Sequence, residues 1–121
     1  LFPLCEDQQV GVTPYQIFMG GVLTGTYNRD NPPPEGTHMH YVLRARDTYW
    51  NERNFDRVDG LRTMAAELGC ELSQLALAWA LANPLITSVI VGASQPTQVA
   101  KNVEAVDLDI PPEVIEQIGD L

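Results

Sequence analysis

The sequence predicts an α/β unit with parallel strands, and three observations carry that prediction. A β-branched run, Val89-Ile90-Val91, passes through Gly92 and Ala93 into a helical stretch. A second strand candidate, Val10 to Tyr15, lies well upstream. Helical spacing recurs between and after the two, at Val58-Leu61-Ala65-Leu68, over Glu71 to Ala82 and over Gln95 to Val106. Strands that alternate with helices are joined by crossovers and lie parallel in one sheet.

Bulk properties narrow the classes of function. A chain of 121 residues with 45% apolar content fits one domain and can bury a core. Net charge is -9, with one Lys (Lys101) and six Arg. That balance argues against a nucleic-acid surface, where neutralising phosphates needs clustered basic residues. Cys5 and Cys70 fall in no metal or redox spacing and read as reduced thiols in a cytoplasmic setting. No apolar run reaches the roughly 20 residues that span a bilayer, and no signal-peptide order opens the chain. The start at Leu1, without Met, carries the expectation that something upstream was removed or not included.

The elements follow in order. Leu1 to Glu6 reads as a helical tail. In the strand candidate Val10 to Tyr15, Pro14 lacks the N–H a ladder needs, so the strand ends or bulges there. Gln16 to Gly25 mixes apolar residues with glycines, as a turn or a close backbone approach to a ligand does. From Thr26 to about Phe55 no period emerges, and Pro32-Pro33-Pro34 makes a stiff segment within a long loop. His38 and His40 in that loop lack partners for a metal set and read as ordinary loop histidines. Tyr49 and Trp50 are candidates for covering a pocket, with plain packing the simpler role.

The helix over Val58 to Leu68 ends at Gly69, and the next runs from Glu71-Leu-Ser73 to about Ala82, where Asn83-Pro84 stops it. Leu75 to Ala82 is apolar on every face and needs cover on more than one side. A buried strand, Thr87 to Val91, follows. Ser94 and Pro96 mark a helix start, where unpartnered N–H groups offer an anion site. On that helix Val99, Val103 and Val106 form an apolar stripe, while Gln98 and Asn102 share another face. A terminal helix over Ile110 to Ile118 has Pro in its opening turn and Glu113 near its positive end. Met64 to Gly69 followed by Ser73 to Trp79 has the look of a DNA-binding helix-turn-helix, but no Arg or Lys occurs from Glu71 to Asn83 to contact phosphates.

Three blocks carry a family resemblance: Val-Thr-Pro-Tyr15 with Met-Gly-Gly-Val-Leu-Thr-Gly25, Leu68-Gly-Cys-Glu-Leu-Ser-Gln-Leu-Ala-Leu-Ala-Trp79-Ala-Leu, and Val-Gly92-Ala-Ser94 followed by Gln98 and Asn102. On them the chain resembles the C-terminal part of an aldo-keto reductase, especially the branch with the voltage-gated potassium channel β subunits. The resemblance implies a (β/α)8 TIM barrel, a fold of about 250 residues. Residues 1–121 would supply the C-terminal part of that single domain, with about its last two strands.

It also implies roles position by position. Tyr15 matches the aromatic residue that stacks on the nicotinamide ring. Gln16 and the backbone of Phe18 lie where the pyrophosphate is held, with Gln16-Ile17-Phe18 in place of the usual Ser-Pro-Leu. Gly92, Ser94 and Gln98 match the surroundings of the adenosine 2'-phosphate of NADP, and Asn102 matches the residue that reads adenine. Lys101 stands where Glu is usual. It either adds positive charge near the 2'-phosphate or faces solvent, and solvent is the preferred reading for a lysine.

The implied reaction is hydride transfer from NADPH to an aldehyde or ketone, with a Tyr proton donor supported by Lys, Asp and His. The only Lys is Lys101, on the nucleotide helix, so none remains to lower the pKa of a catalytic Tyr. No catalytic or metal-binding residue is therefore assigned to this chain, and alone it should be inactive. The alternative is a non-catalytic NADP-binding regulatory module resembling the channel β subunits. The expected partners are a small carbonyl substrate in the complete protein and the missing barrel half or another copy, with no nucleic acid and no membrane.

Overall fold

A computed structural model describes residues 1–121. Seven α-helices follow one another: α1 Phe2–Asp7, α2 His38–Tyr41, α3 Leu43–Tyr49, α4 Glu52–Glu67, α5 Leu72–Leu81, α6 Pro96–Glu104 and α7 Pro112–Asp120. Tight 310 turns occupy Met19–Thr24 and Ala105–Asp107.

The two expected strands do not form a sheet. Their one pairing is an isolated parallel bridge between Val12 and Ile86. Around it Val12 N–H donates to Leu85 O at 2.9 Å and Thr87 N–H to Val12 O at 3.0 Å. The next rung slips, because Pro14 has no N–H to give and Ile90, rather than Val89, donates to its carbonyl at 2.9 Å. Thr87 to Val91 is not buried either, with Ile90 60% exposed. Two short segments give each other a single edge, and within this chain no further strand covers the others.

Helix termini explain most of the remaining differences. Asn51 caps α4 through its side-chain oxygen, which accepts from Asn54 N–H at 3.0 Å, so α4 starts six residues before the apolar spacing at Val58. Gly69, at φ 68°, closes it. The region from Thr26 to Phe55 is not one long loop, since α2, α3 and the first turn of α4 lie in it. Short helices of four and seven residues give too little length for a period to stand out. The cap of α6 is Gln95, not Ser94, with Pro96 in the first turn.

The core is built around α5, which meets α4, α6 and both 310 turns. Leu72, Leu75, Leu77, Ala78 and Ala80 are buried there, and the Trp79 indole N–H donates to Ile115 O of α7 at 3.3 Å. Cover from several sides is what an all-round apolar helix requires. One cluster joins Leu72 to Val22, Tyr27, Met39, Ala45, Phe55 and Val58. The other joins Leu75 and Ala78 to Ala65 and Ile110. Tyr27 anchors the first: its hydroxyl donates to Gly20 O at 3.4 Å and accepts from Met39 N–H at 3.2 Å. Trp50 packs edge-on against Tyr27 and Phe55, a core role rather than a pocket cover.

Arg29 ties the preceding loop to α4. Its guanidinium contacts Glu52 at 3.0 Å, Asp56 at 2.9 Å and Asp59 at 2.6 Å. Hydrogen bonds to Asp56, then Asp59, push its pKa above the ordinary arginine value.

Candidate functional site

The site begins where the turn after the Val12 bridge meets the N-terminus of α6. Tyr15 leaves the bridged segment 71% exposed, presenting a free aromatic face. Gln16 follows at φ 58°, a left-handed conformation uncommon for a side chain with a Cβ, and its Oε1 accepts from the Tyr49 hydroxyl at 3.0 Å. Gly20 and Gly21, at φ 67° and 100°, then reverse the chain. The left-handed φ at Gly20 favours glycine, and a Cβ there would stand 2.7 Å from Met39 Cε, so the methionine end would have to shift.

Two adjoining clefts run between this turn and α6. The broader, about 720 Å³, is lined by Tyr15, Gln16, Phe18, Gly92, Ser94 and Gln98, among others. The narrower, about 290 Å³, is lined by Phe18, Gly92, Gln98, Lys101, Asn102 and Glu71, among others. Phe18, Thr24, Thr26, Gly92 and Gln98 border both. All eight residues singled out in the sequence thus line one continuous depression, although Tyr15 and Asn102 are 87 positions apart.

The helix N-terminus is less open than the sequence suggests. Gln98 Oε1 accepts from Ser94 N–H at 2.7 Å, from Ser94 Oγ at 3.2 Å and from Gln95 N–H at 3.2 Å. In the same capping box the Gln95 side chain accepts from Gln98 N–H. An anion reaching this turn therefore competes with the Gln98 carboxamide for donors.

Lys101 is exposed, as a solvent-facing lysine is, and it also has a partner. Its ammonium, half-exposed, pairs with the Glu71 carboxylate across the narrower cleft. Glu71 also caps α5, its side chain accepting from Gln74 N–H while its own N–H donates to Gln74 Oε1 at 2.9 Å. Glu71 was legible in sequence only as a helix start. Nothing in spacing joins it to Lys101, 30 residues on.

Gly92 tests whether a ligand fits. Its φ is not in the positive region, and a Cβ built on it meets nothing within 4 Å. Neither backbone conformation nor packing within the chain demands glycine, whereas a group lying in the clefts would approach that bare backbone. The clefts are joined, and their walls combine aromatic and aliphatic side chains with hydroxyl and amide groups and the Glu71–Lys101 pair, a mixture that suits a dinucleotide. No three His, Cys, Asp or Glu side chains are placed to hold a metal ion, and His40 Nδ1 instead lies 3.4 Å from Pro33 O. No helix is long and apolar enough to cross a membrane.

The family model for aldo/keto reductases matches residues 1–121. The chain belongs to the aldo/keto reductase family. Its relatives include a probable voltage-gated potassium channel subunit beta from Oryza sativa subsp. japonica, 37% identical over 123 residues, covering 96% of this chain and 36% of the relative. An Arabidopsis thaliana protein of the same description is 37% identical over 113 residues, 88% of this chain and 33% of its own length. An NADH-specific methylglyoxal reductase from Escherichia coli (strain K12) is 33% identical over 110 residues, 91% of this chain and 33% of its own length. The chain spans about a third of the length of these relatives. Aldo/keto reductases are (β/α)8 oxidoreductases that bind a nicotinamide cofactor; this chain is mostly helical, and the isolated Val12–Ile86 bridge does not amount to a strand of such a barrel.

A third cleft, about 320 Å³ and mostly apolar, is lined by none of the eight residues, although Ile17 borders both it and the broader cleft; Met19, Val58, Leu61, Trp79 and Ile118 also line it. Its polar lining is limited to Asn54 and Arg57, and Arg57 Nε already donates to Leu121 O at 2.7 Å.

Proposed function

We propose that this chain forms the C-terminal, cofactor-holding part of an aldo/keto reductase that reduces aldehydes or ketones with a nicotinamide dinucleotide, NADPH being the form the resemblance implies. The observation that carries the proposal is the convergence of Tyr15, Gln16, Phe18, Gly92, Ser94, Gln98, Lys101 and Asn102 on one depression. Tyr15 would stack on the nicotinamide. The turn at Gln16 and Phe18 would hold the pyrophosphate, and the first turn of α6, with Asn102, the adenosine end. A bound reduced nicotinamide supplies the hydride. The chain's own residues orient the dinucleotide and shield its adenosine end, while the proton donor and its Lys, Asp and His partners come from the rest of the barrel.

Surface area supports the incomplete-barrel reading. The chain exposes 7926 Å², against about 6,500 Å² for a compact monomer of its mass. Val99 and Val103 of α6 and Val106 of the 310 turn that follows it are each more than half exposed, an apolar stripe with no partner in the chain.

The test is to titrate NADPH, by its fluorescence, into this chain alone and into the chain fused behind the preceding barrel segment of the rice relative. Binding should be weak or undetectable for the chain alone and clear for the completed barrel. Micromolar binding with NADPH turnover by the chain alone refutes the proposal. The regulatory alternative rests on the rice and Arabidopsis relatives, whose descriptions are channel subunits. A completed barrel that binds the dinucleotide yet turns over no carbonyl compound favours it.

A further inference from the structure

We infer that Glu71 is a selectivity determinant of the adenosine end: by engaging Lys101 it removes the one cation available to a 2'-phosphate, so the site accepts NADH at least as well as NADPH. This rests on the cofactor reading above and sharpens it.

The lining of the two clefts carries the inference. The narrower cleft holds two charged side chains, Glu71 and Lys101, and they are paired with each other. The broader cleft has no Lys, Arg, Asp or Glu on its walls. The remaining lining of the narrower cleft is largely neutral hydroxyl and amide, from Thr24, Thr26, Ser73, Thr97, Gln95 and Asn102. Formal charge there is zero, in a chain of net charge -9. A 2'-phosphate, dianionic near neutral pH, would have to draw Lys101 from its carboxylate or lie against that carboxylate unpaired. A ribose 2'-hydroxyl meets neither obstacle, and a carboxylate is a strong acceptor for it.

Glu71, though half-exposed, is also engaged at the head of α5. Its side chain is fixed at the N-terminus of α5 by Gln74 N–H, and Gln74 Nε2 in turn reaches Glu104 Oε2 at 3.0 Å and Lys101 O at 3.4 Å on α6. Moving the carboxylate out of the cleft therefore gives up the cap of the central helix. The Lys101 ammonium has Glu71 as its ion-pair partner, so a 2'-phosphate has to compete with that carboxylate for it.

The experiment measures NADH and NADPH dissociation constants for the completed barrel by fluorescence titration, with melting temperature followed in parallel. Glu71→Ser removes the carboxylate but keeps a good helix cap, so loss of folding does not cloud the result. It should tighten NADPH about tenfold while NADH stays level or weakens. Lys101→Met should weaken NADPH several-fold and leave NADH near its starting value. Wild-type preference for NADPH by more than about tenfold, or an NADPH to NADH ratio unmoved by Glu71→Ser, overturns the selectivity role. Failure of the folded wild-type barrel to bind either dinucleotide overturns the cofactor reading itself, and this inference with it.

Discussion

Replacing Gly92 with Leu separates binding from folding at one position. Gly92 borders both clefts, its φ is not in the region reserved for glycine, and an added Cβ meets nothing within 4 Å. Gly92 is exposed, so the longer side chain can turn to solvent, and stability should stay within about 0.5 kcal/mol of the parent. A dinucleotide in the clefts leaves no such freedom. Forcing extra methylenes into an occupied, well-fitted space costs about 1–3 kcal/mol, which weakens binding about 5- to 150-fold. Gly92→Ala should fall between the two. The assay is fluorescence titration of NADPH and NADH into the completed barrel, with thermal melts on the same samples. A folded Gly92→Leu protein that binds either dinucleotide with unchanged affinity refutes the placement of the ligand along this wall.

Three further outcomes follow from the fold. Leu75 is fully buried in the middle of α5, so Leu75→Ala should lower unfolding free energy by about 2–5 kcal/mol; urea melts read from Trp fluorescence would show an unmoved midpoint if α5 were not central. Arg29→Met leaves Glu52, Asp56 and Asp59 facing one another without their cation. The melting temperature should drop at low salt, and the gap should narrow near about 0.5 M NaCl; a salt-independent gap would count against the ionic clamp. Burial pushes the Cys70 thiol above its ordinary pKa. The unfolded thiol ionises first as pH rises, so this contribution is intact below the ordinary thiol value and lost as pH climbs through the folded one. Cys70→Ala should flatten the alkaline fall in stability above about pH 8.5, measured by urea melts at stepped pH. An equally steep fall in the variant would assign the effect to other groups.

Long, strongly patterned segments were legible. The spacing of Val58, Leu61, Ala65 and Leu68 marks α4, the Glu71 and Pro84 boundaries frame α5, and Pro112 opens α7, because caps and prolines act within one helical turn. The strands were not. Val89-Ile90-Val91 has the composition of a buried strand, but composition reports what a segment prefers, and a strand exists only when a neighbour continues the ladder along it, which a single bridge does not. The short helices α2 and α3 fell below the length at which a period declares itself.

The sequence by itself determined the family, the longer helices α4 to α7 in their order and the eight residues that turned out to share one depression. Those follow from local chemistry and from motif identity, which survive without coordinates. Only the tertiary structure decided how the depression is charged. It set Gln98 across the donors at the start of α6 and brought Glu71 from the head of α5 onto Lys101. Residues on two helices with no periodic relation meet only when packing brings those helices together, and the electrostatics of the adenosine end follow from that meeting.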